Sequence, residues 1–183
     1  LTIDFDRYNL RTRDAEEITA LGTGAVEDPT PITSLSLEVD IDSAASAPSL
    51  SATARRTGAS FAGLIKEVKN FTYSPSAAGE FDIVDLPRGP LINKIVLQNA
   101  NITRVQIDRD DTVIFDRTKA ENALVQSDGV RVPDSDWFVI DPTEFGNGAD
   151  SIITDGAQSL QIKLFMSAGG QVPVLVEYLS AIN

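Results

Sequence analysis

One stretch of the chain alternates apolar and polar residues with a period of two, and the stretch recurs later. Ser34–Leu50 reads SLSLEVDIDSAASAPSL, and Ser159–Leu175 reads SLQIKLFMSAGGQVPVL. Laid over each other at one constant offset, Ser34 meets Ser159, Leu35 meets Leu160, Pro48 meets Pro173 and Leu50 meets Leu175. Leu37, Val39 and Ile41 then fall on Ile162, Leu164 and Met166. Alternation over four positions predicts a strand with one face buried. In both copies a small, polar connection follows and ends at a proline, where a further strand can begin.

The echo extends upstream at a slightly longer offset. LTIDFD (Leu1–Asp6) aligns with DWFVID (Asp136–Asp141), and Ile18-Thr19 aligns with Ile153-Thr154. Two copies of one fold in tandem account for this shared order, with a shorter connection in the second copy. The division is then unequal. Residues 1–57 supply the closing strands of a first, truncated sandwich, and residues 58–183 have room for a complete one. A few closing strands lack a core and edge protection of their own. Together with a start at Leu1 and not at methionine, this leads us to expect the C-terminal part of a longer two-domain protein.

Between the repeats, short β-rich runs are separated by turn residues. Strands are predicted over Lys66–Tyr73, Gly79–Val84, Leu91–Gln98 and Ile102–Asp108, with a tight Asp110-Asp111 turn leading into Thr112–Arg117 as a hairpin. DAEEITAL (Asp14–Leu21) and Lys119–Gln126 are the two helical candidates, the first with an aspartate cap. Gly58–Gly63 is the expected junction, LPRGP (Leu86–Pro90) a rigid break and Gly169-Gly170 a flexible connection. Eight or more short strands at this spacing predict an all-β jelly-roll sandwich with minor short helices.

Composition narrows the chemistry. Histidine and cysteine are both absent from the 183 residues, which removes the usual general base, the triad imidazole, thiol chemistry and the commonest metal ligand. Net charge is −12, from 15 basic and 27 acidic residues, a surface that repels phosphate backbones. The basic pairs Arg11/Arg13 and Arg55-Arg56 are too small for a nucleic-acid footprint. No apolar run approaches the roughly 18 residues of a spanning helix.

Several segments resemble the major capsid protein of corticovirus-type, membrane-containing icosahedral phages. They are LSLEVDIDSAASAPSLSA (Leu35–Ala52), FDIVDLPRG (Phe81–Gly89), INKIVLQNANITRVQIDRDDTVIFDRT (Ile92–Thr118) and VLVEYL (Val174–Leu179), with ALGTG (Ala20–Gly24) similar to a segment near the end of that family's first domain. The resemblance implies a tandem double jelly roll, of which this chain holds the end of the first sandwich and all of the second. It implies a structural capsid protein in the virion, assembled in the host cytoplasm. Homotrimers would pack as pseudo-hexagonal blocks beside neighbouring capsomers, close to an internal membrane and without direct contact to nucleic acid. Most of the first sandwich has no counterpart here, and the resemblance places no segment at Asp128–Asn147.

No residue is nominated as catalytic, and no cofactor is expected beyond the possibility of calcium. Acidic pairs two residues apart recur at Asp4/Asp6, Asp40/Asp42, Asp108/Asp110 and Asp134/Asp136. Residues so spaced share a strand face and offer oxygen ligands to a hard cation, though none lies in an EF-hand loop. The favoured calcium candidates are Asp108, Asp110 and Asp111; the plainer reading is solvated strand ends and turns. Paired carboxylates also serve glycoside hydrolysis, but nothing marks one acid as desolvated. Asn70-Phe71-Thr72 and Asn101-Ile102-Thr103 match the glycosylation triplet and are read as coincidence. The alternative function is a carbohydrate-binding or adhesive β-sandwich, with Trp137, Phe138 and Tyr178 as stacking candidates; their place in the repeated strands favours core packing. Specificity is expected in Ser127–Gly148.

Overall fold

The computed structural model describes residues 34–54, 64–127, 131–147 and 150–181. The expected Leu1–Asp6 strand, the Asp14–Leu21 helix, the Asp4/Asp6 pair and the Gly58–Gly63 junction lie outside them. Eight strands and one helix follow in order: β1 (Leu64–Tyr73), β2 (Gly79–Ile83), β3 (Leu91–Gln98), β4 (Ile102–Arg109), β5 (Thr112–Thr118), α1 (Lys119–Gln126), β6 (Trp137–Ile140), β7 (Leu160–Met166) and β8 (Val172–Ala181).

The strands form two four-stranded antiparallel sheets, ordered β1-β8-β3-β6 and β2-β7-β4-β5. Among the described strands, β4 and β5 alone are sequence neighbours that pair. Every other connection crosses from one sheet to the other, as two interleaved Greek keys require, and this is a jelly roll. Period-two alternation supplies the core: Leu160, Ile162, Leu164 and Met166 of β7 face Val172, Val174, Val176 and Tyr178 of β8, all buried. Ile95 and Leu97 of β3, Val105 and Ile107 of β4, and Phe138 and Ile140 of β6 fill the remainder. Each such side chain contributes roughly 1.5–3 kcal/mol of burial.

The β4–β5 hairpin turns at Asp110-Asp111, both with positive φ (50° and 62°). This is the I′ geometry that matches the right-handed twist of the strands, and aspartate tolerates it better than most residues. At the far end of β5, Thr118 and Glu121 form a reciprocal capping box that starts α1. β5 and β6 are edge strands on the same flank of the two sheets. α1 lies between them, and Asn122 and Gln126 donate to the Val139 carbonyl at 2.8 and 2.6 Å. The helix thus covers a free edge that would otherwise invite pairing.

Two expectations change. Leu35–Ile41, the first copy of the repeat, forms no strand; Leu35, Leu37, Val39 and Ile41 are all exposed. Among the described residues none pairs with this segment, and a strand with one apolar face needs such a neighbour to form. Gly169-Gly170 is a close contact and not a loose link. A Cβ on Gly169 would stand 2.6 Å from the Ser76 carbonyl carbon, and the Gly170 amide donates to the Pro75 carbonyl at 2.9 Å. The glycines let the β7–β8 connection press against the β1–β2 connection.

Gly169→Ala is therefore expected to destabilise the fold by roughly 1–3 kcal/mol, read as a lowered denaturant midpoint at unchanged slope. Tyr178 is fully buried, and among the described residues its hydroxyl has no hydrogen-bond partner. Burial, with the nearby Glu67 carboxylate, pushes its pKa from 10.0 up to about 12. The folded state thus holds this proton more tightly than the unfolded chain. The resulting stability is complete below pH 10 and lost as pH rises towards 12. Tyr178→Phe is expected to leave neutral-pH stability unchanged or slightly raised and to move alkaline unfolding to higher pH. Thermal melts across that range check it.

Candidate assembly surfaces

The outward positions of the two sheets carry different chemistry. On the second sheet, Glu80 and Asp82 of β2, Lys163 and Phe165 of β7, Arg104, Gln106 and Asp108 of β4, and Asp116 of β5 alternate with the core residues. The two bases and two of the four acids pair with one another. Arg104 makes a forked pair with Asp116 at 2.7 and 2.6 Å, and its guanidinium lies 4.7 Å from the Phe165 ring centroid. Lys163 meets Asp108 at 2.8 Å, and Gln106 donates to the other Asp108 oxygen at 2.8 Å. The Arg104 and Lys163 hydrogen bonds hold the Asp116 and Asp108 carboxyls below their usual range, and the same contacts raise both bases.

The first sheet is different. Its registers align Asn70 of β1, Leu175 of β8, Val96 of β3 and Val139 of β6 in one row across all four strands. The next row holds Thr72, Pro173, Gln98 and Trp137, and on the other side Val68 lies beside Glu177. Val68 and Leu175 are 58% and 37% exposed. Charge on this face gathers at one end, where Lys66, Lys94 and Glu177 lie; Glu177 accepts from Asn93 and Lys94 reaches Asp141 at 3.6 Å.

The loops around β6 are fastened to the sandwich. Arg117 grips Glu144 through two hydrogen bonds of 3.1 and 2.6 Å, and Arg131 reaches Asp141 at 3.4 Å and the Glu144 carbonyl at 2.8 Å. Asp141 also accepts from the Thr143 amide and hydroxyl. These two buried carboxylates are thus each held by an arginine. The part of Ser127–Gly148 that is described is consequently well braced, with Val132 and Phe145 left exposed beside the clamps.

The calcium candidates do not form a metal-ligating cluster among the described residues. Asp108 and Asp110 come to the same hairpin end, but their oxygens serve protein donors. Asp110 accepts from the Ser159 and Gln158 amides at 2.9 and 2.7 Å, which lowers its pKa, while Asp108 is held by Lys163. Asp111 is exposed at the turn. Asp42 and Asp134 likewise accept from amides two residues on, the ordinary use of aspartate in turns. Of the aromatic candidates, Phe138 and Tyr178 are core residues. Trp137 alone reaches the surface, in an open cleft of about 460 Å³ beside Ala120, Ala123 and Pro133. They do not make a stacking strip.

Comparison with known proteins places this architecture. A family model described as the viral coat protein P2 C-terminal domain matches residues 65–182, and one described as the P2 N-terminal domain matches residues 1–57. The major capsid protein P2 of Pseudoalteromonas phage PM2 is 28% identical over 152 residues, covering 81% of this chain and 56% of that protein. The crystal structure of major capsid protein P2 from bacteriophage PM2 aligns with a TM-score of 0.65 at 23% identity, over 69% of this chain and 48% of that one. The crystal structure of the STIV MCP aligns with a TM-score of 0.53 at 15% identity, over 64% and 42%. The atomic structure of Sulfolobus Turreted Icosahedral Virus gives 0.53 at 13% identity, over 64% and 39%. At such identities the structural matches speak for the fold. The chain spans about half the length of the relatives it matches. The C-terminal-domain model runs from the second residue of β1 past the end of β8, and the chain belongs to the viral coat protein P2 family.

Proposed function

We propose that this chain is the shell-forming part of a virion coat protein, packing laterally as a trimer of paired sandwiches beside neighbouring capsomers. The observation that carries the reading is the coat-protein family match, which spans the whole jelly roll. A filled core and arginine-clamped buried acids suit a structural block. A net charge of −12 disfavours contact with the genome, in keeping with a shell that stands outside an internal membrane. Among the described residues no helix is long and apolar enough to cross a membrane. The remainder of an N-terminal domain, as the matched relatives possess, is the expected companion of residues 1–57.

Light scattering on coat protein released gently from virions is expected to give three times the mass of one polypeptide. A monomer at every concentration, or a glycan-dependent shift in mass, overturns the reading in favour of a sugar-binding module. Calcium is expected to act at most between subunits: chelation leaves the thermal midpoint of a single sandwich unchanged, because Asp108 and Asp110 already have protein partners.

A further inference from the structure

An open sheet edge is a template for a strand of another copy, and a long, regular edge is the strongest one. Three of the four edges here are ill suited to that. β2 has five residues and β6 four, and α1 covers β6. β5 meets β4 with a register shift between Ile107 and Asp108, and such a bulge twists an edge away from a partner. β1 differs. It has ten residues, and its pairing with β8 runs from Leu64 to Tyr73 without a shift. Among the described residues no strand lies on its other side.

In place of a bulge, β1 has an unusual inward row. Ile65, Glu67, Lys69, Phe71 and Tyr73 share one strand face. Phe71 and Tyr73 pack against the core, so that face is the inner one. The row is therefore apolar at both ends and charged in the middle. The register sets Glu67 and Lys69 opposite the buried Tyr178 and Val176. Lys69 Nζ lies 5.5 Å from the Tyr178 ring centroid and 3.3 Å from Glu67 Oε1. Val68, which alternation turns outward, is 58% exposed. Over the centre of this strand, charged and apolar positions are thus exchanged relative to the pattern that burial favours.

Stability does not account for the exchange. The Lys69 and Glu67 side chains are 36% and 47% exposed, and an ion pair so wet contributes little. Their hydration comes through the open flank, where the facing edge strand, β2, is half as long as β1. A strand added to β1 would close that flank and take both charges out of water. We propose that Glu67 and Lys69 bar the β1 edge to a strand from a second copy of this chain. Copies then approach the flank through side chains alone, and each sandwich keeps its own eight strands whatever larger structure it serves.

The test uses the full coat polypeptide. In the unaltered protein, residue-resolved hydrogen exchange is expected to show free exchange at the β1 amides that do not bond to β8. Slow exchange there means that another strand already covers the edge, and overturns the proposal. The Glu67→Val, Lys69→Val protein is expected to melt no lower than the unaltered one and to associate further. Light scattering at equal concentration is expected to read about twice the unaltered mass or more, with those β1 amides slowed at least about tenfold. The exchanged pair Glu67→Lys, Lys69→Glu retains inward charge and is expected to keep the unaltered mass. An unchanged mass in the valine protein overturns the proposal, as does association without slowing in β1. So does equal association of the exchanged pair. If the valine protein does not fold, Glu67→Thr, Lys69→Thr, uncharged and strand-favouring, is read in its place. If neither folds, the charges serve to hold β1 in the sandwich, and the proposal fails.

Discussion

The jelly roll closes because its last strand is the middle of its first sheet. β8 pairs with β1 along ten residues on one side and with β3 on the other. Its inward row, Val172, Val174, Val176 and Tyr178, is the floor on which the facing row of β7 rests. Without β8, β1 has no neighbour and the β3–β6 pair loses its connection to it. Both pairings join residues far apart in sequence, so the loop-closure entropy falls due before the core rewards it. The glycine contact between the β7–β8 and β1–β2 connections draws the two ends of the domain together at the place where this closure is made.

Once the sheets are stacked, their edges set the remaining problem. On one flank β5 and β6 would both be open, and the chain fills the gap with α1. The helix starts at its own capping box, and its two buried amides reach a strand carbonyl. The loop after β6 is then tied to the end of β5 by Arg117–Glu144. A forked arginine–carboxylate pair is directional as well as strong, so it fixes the loop's position and not merely its proximity.

The strands were legible because alternation reports a face that must be covered. β3 coincides with the run read from sequence, and β1, β2, β4 and β5 do so within two residues. Alternation does not say what covers the face, and the repeat makes this plain. Leu160–Met166 and Leu35–Ile41 carry the same pattern; one is the buried heart of the second sheet, the other lies exposed with no partner strand among the described residues. The difference is supplied by the strands available to pair. The acidic pairs show a related limit: spacing places two carboxylates on one face but cannot show that an amide or a lysine holds their oxygens, as it does for Asp108 and Asp110. The arginine clamps left no trace at all in sequence spacing, since Arg117 and Glu144 are 27 residues apart and meet through the fold.

Charge supplies the final constraint. A chain with a net charge of −12 repels its own copies over a distance of about one Debye length, roughly 8 Å at physiological ionic strength. Contact between like chains is then affordable where charge is locally cancelled or absent. The two sheets differ in this respect. The second pairs Arg104 with Asp116 and Lys163 with Asp108 within its own plane and keeps Glu80 and Asp82 as a net negative excess. The first removes charge from its centre and leaves valine, leucine and proline, so approach costs no desolvation of ions there.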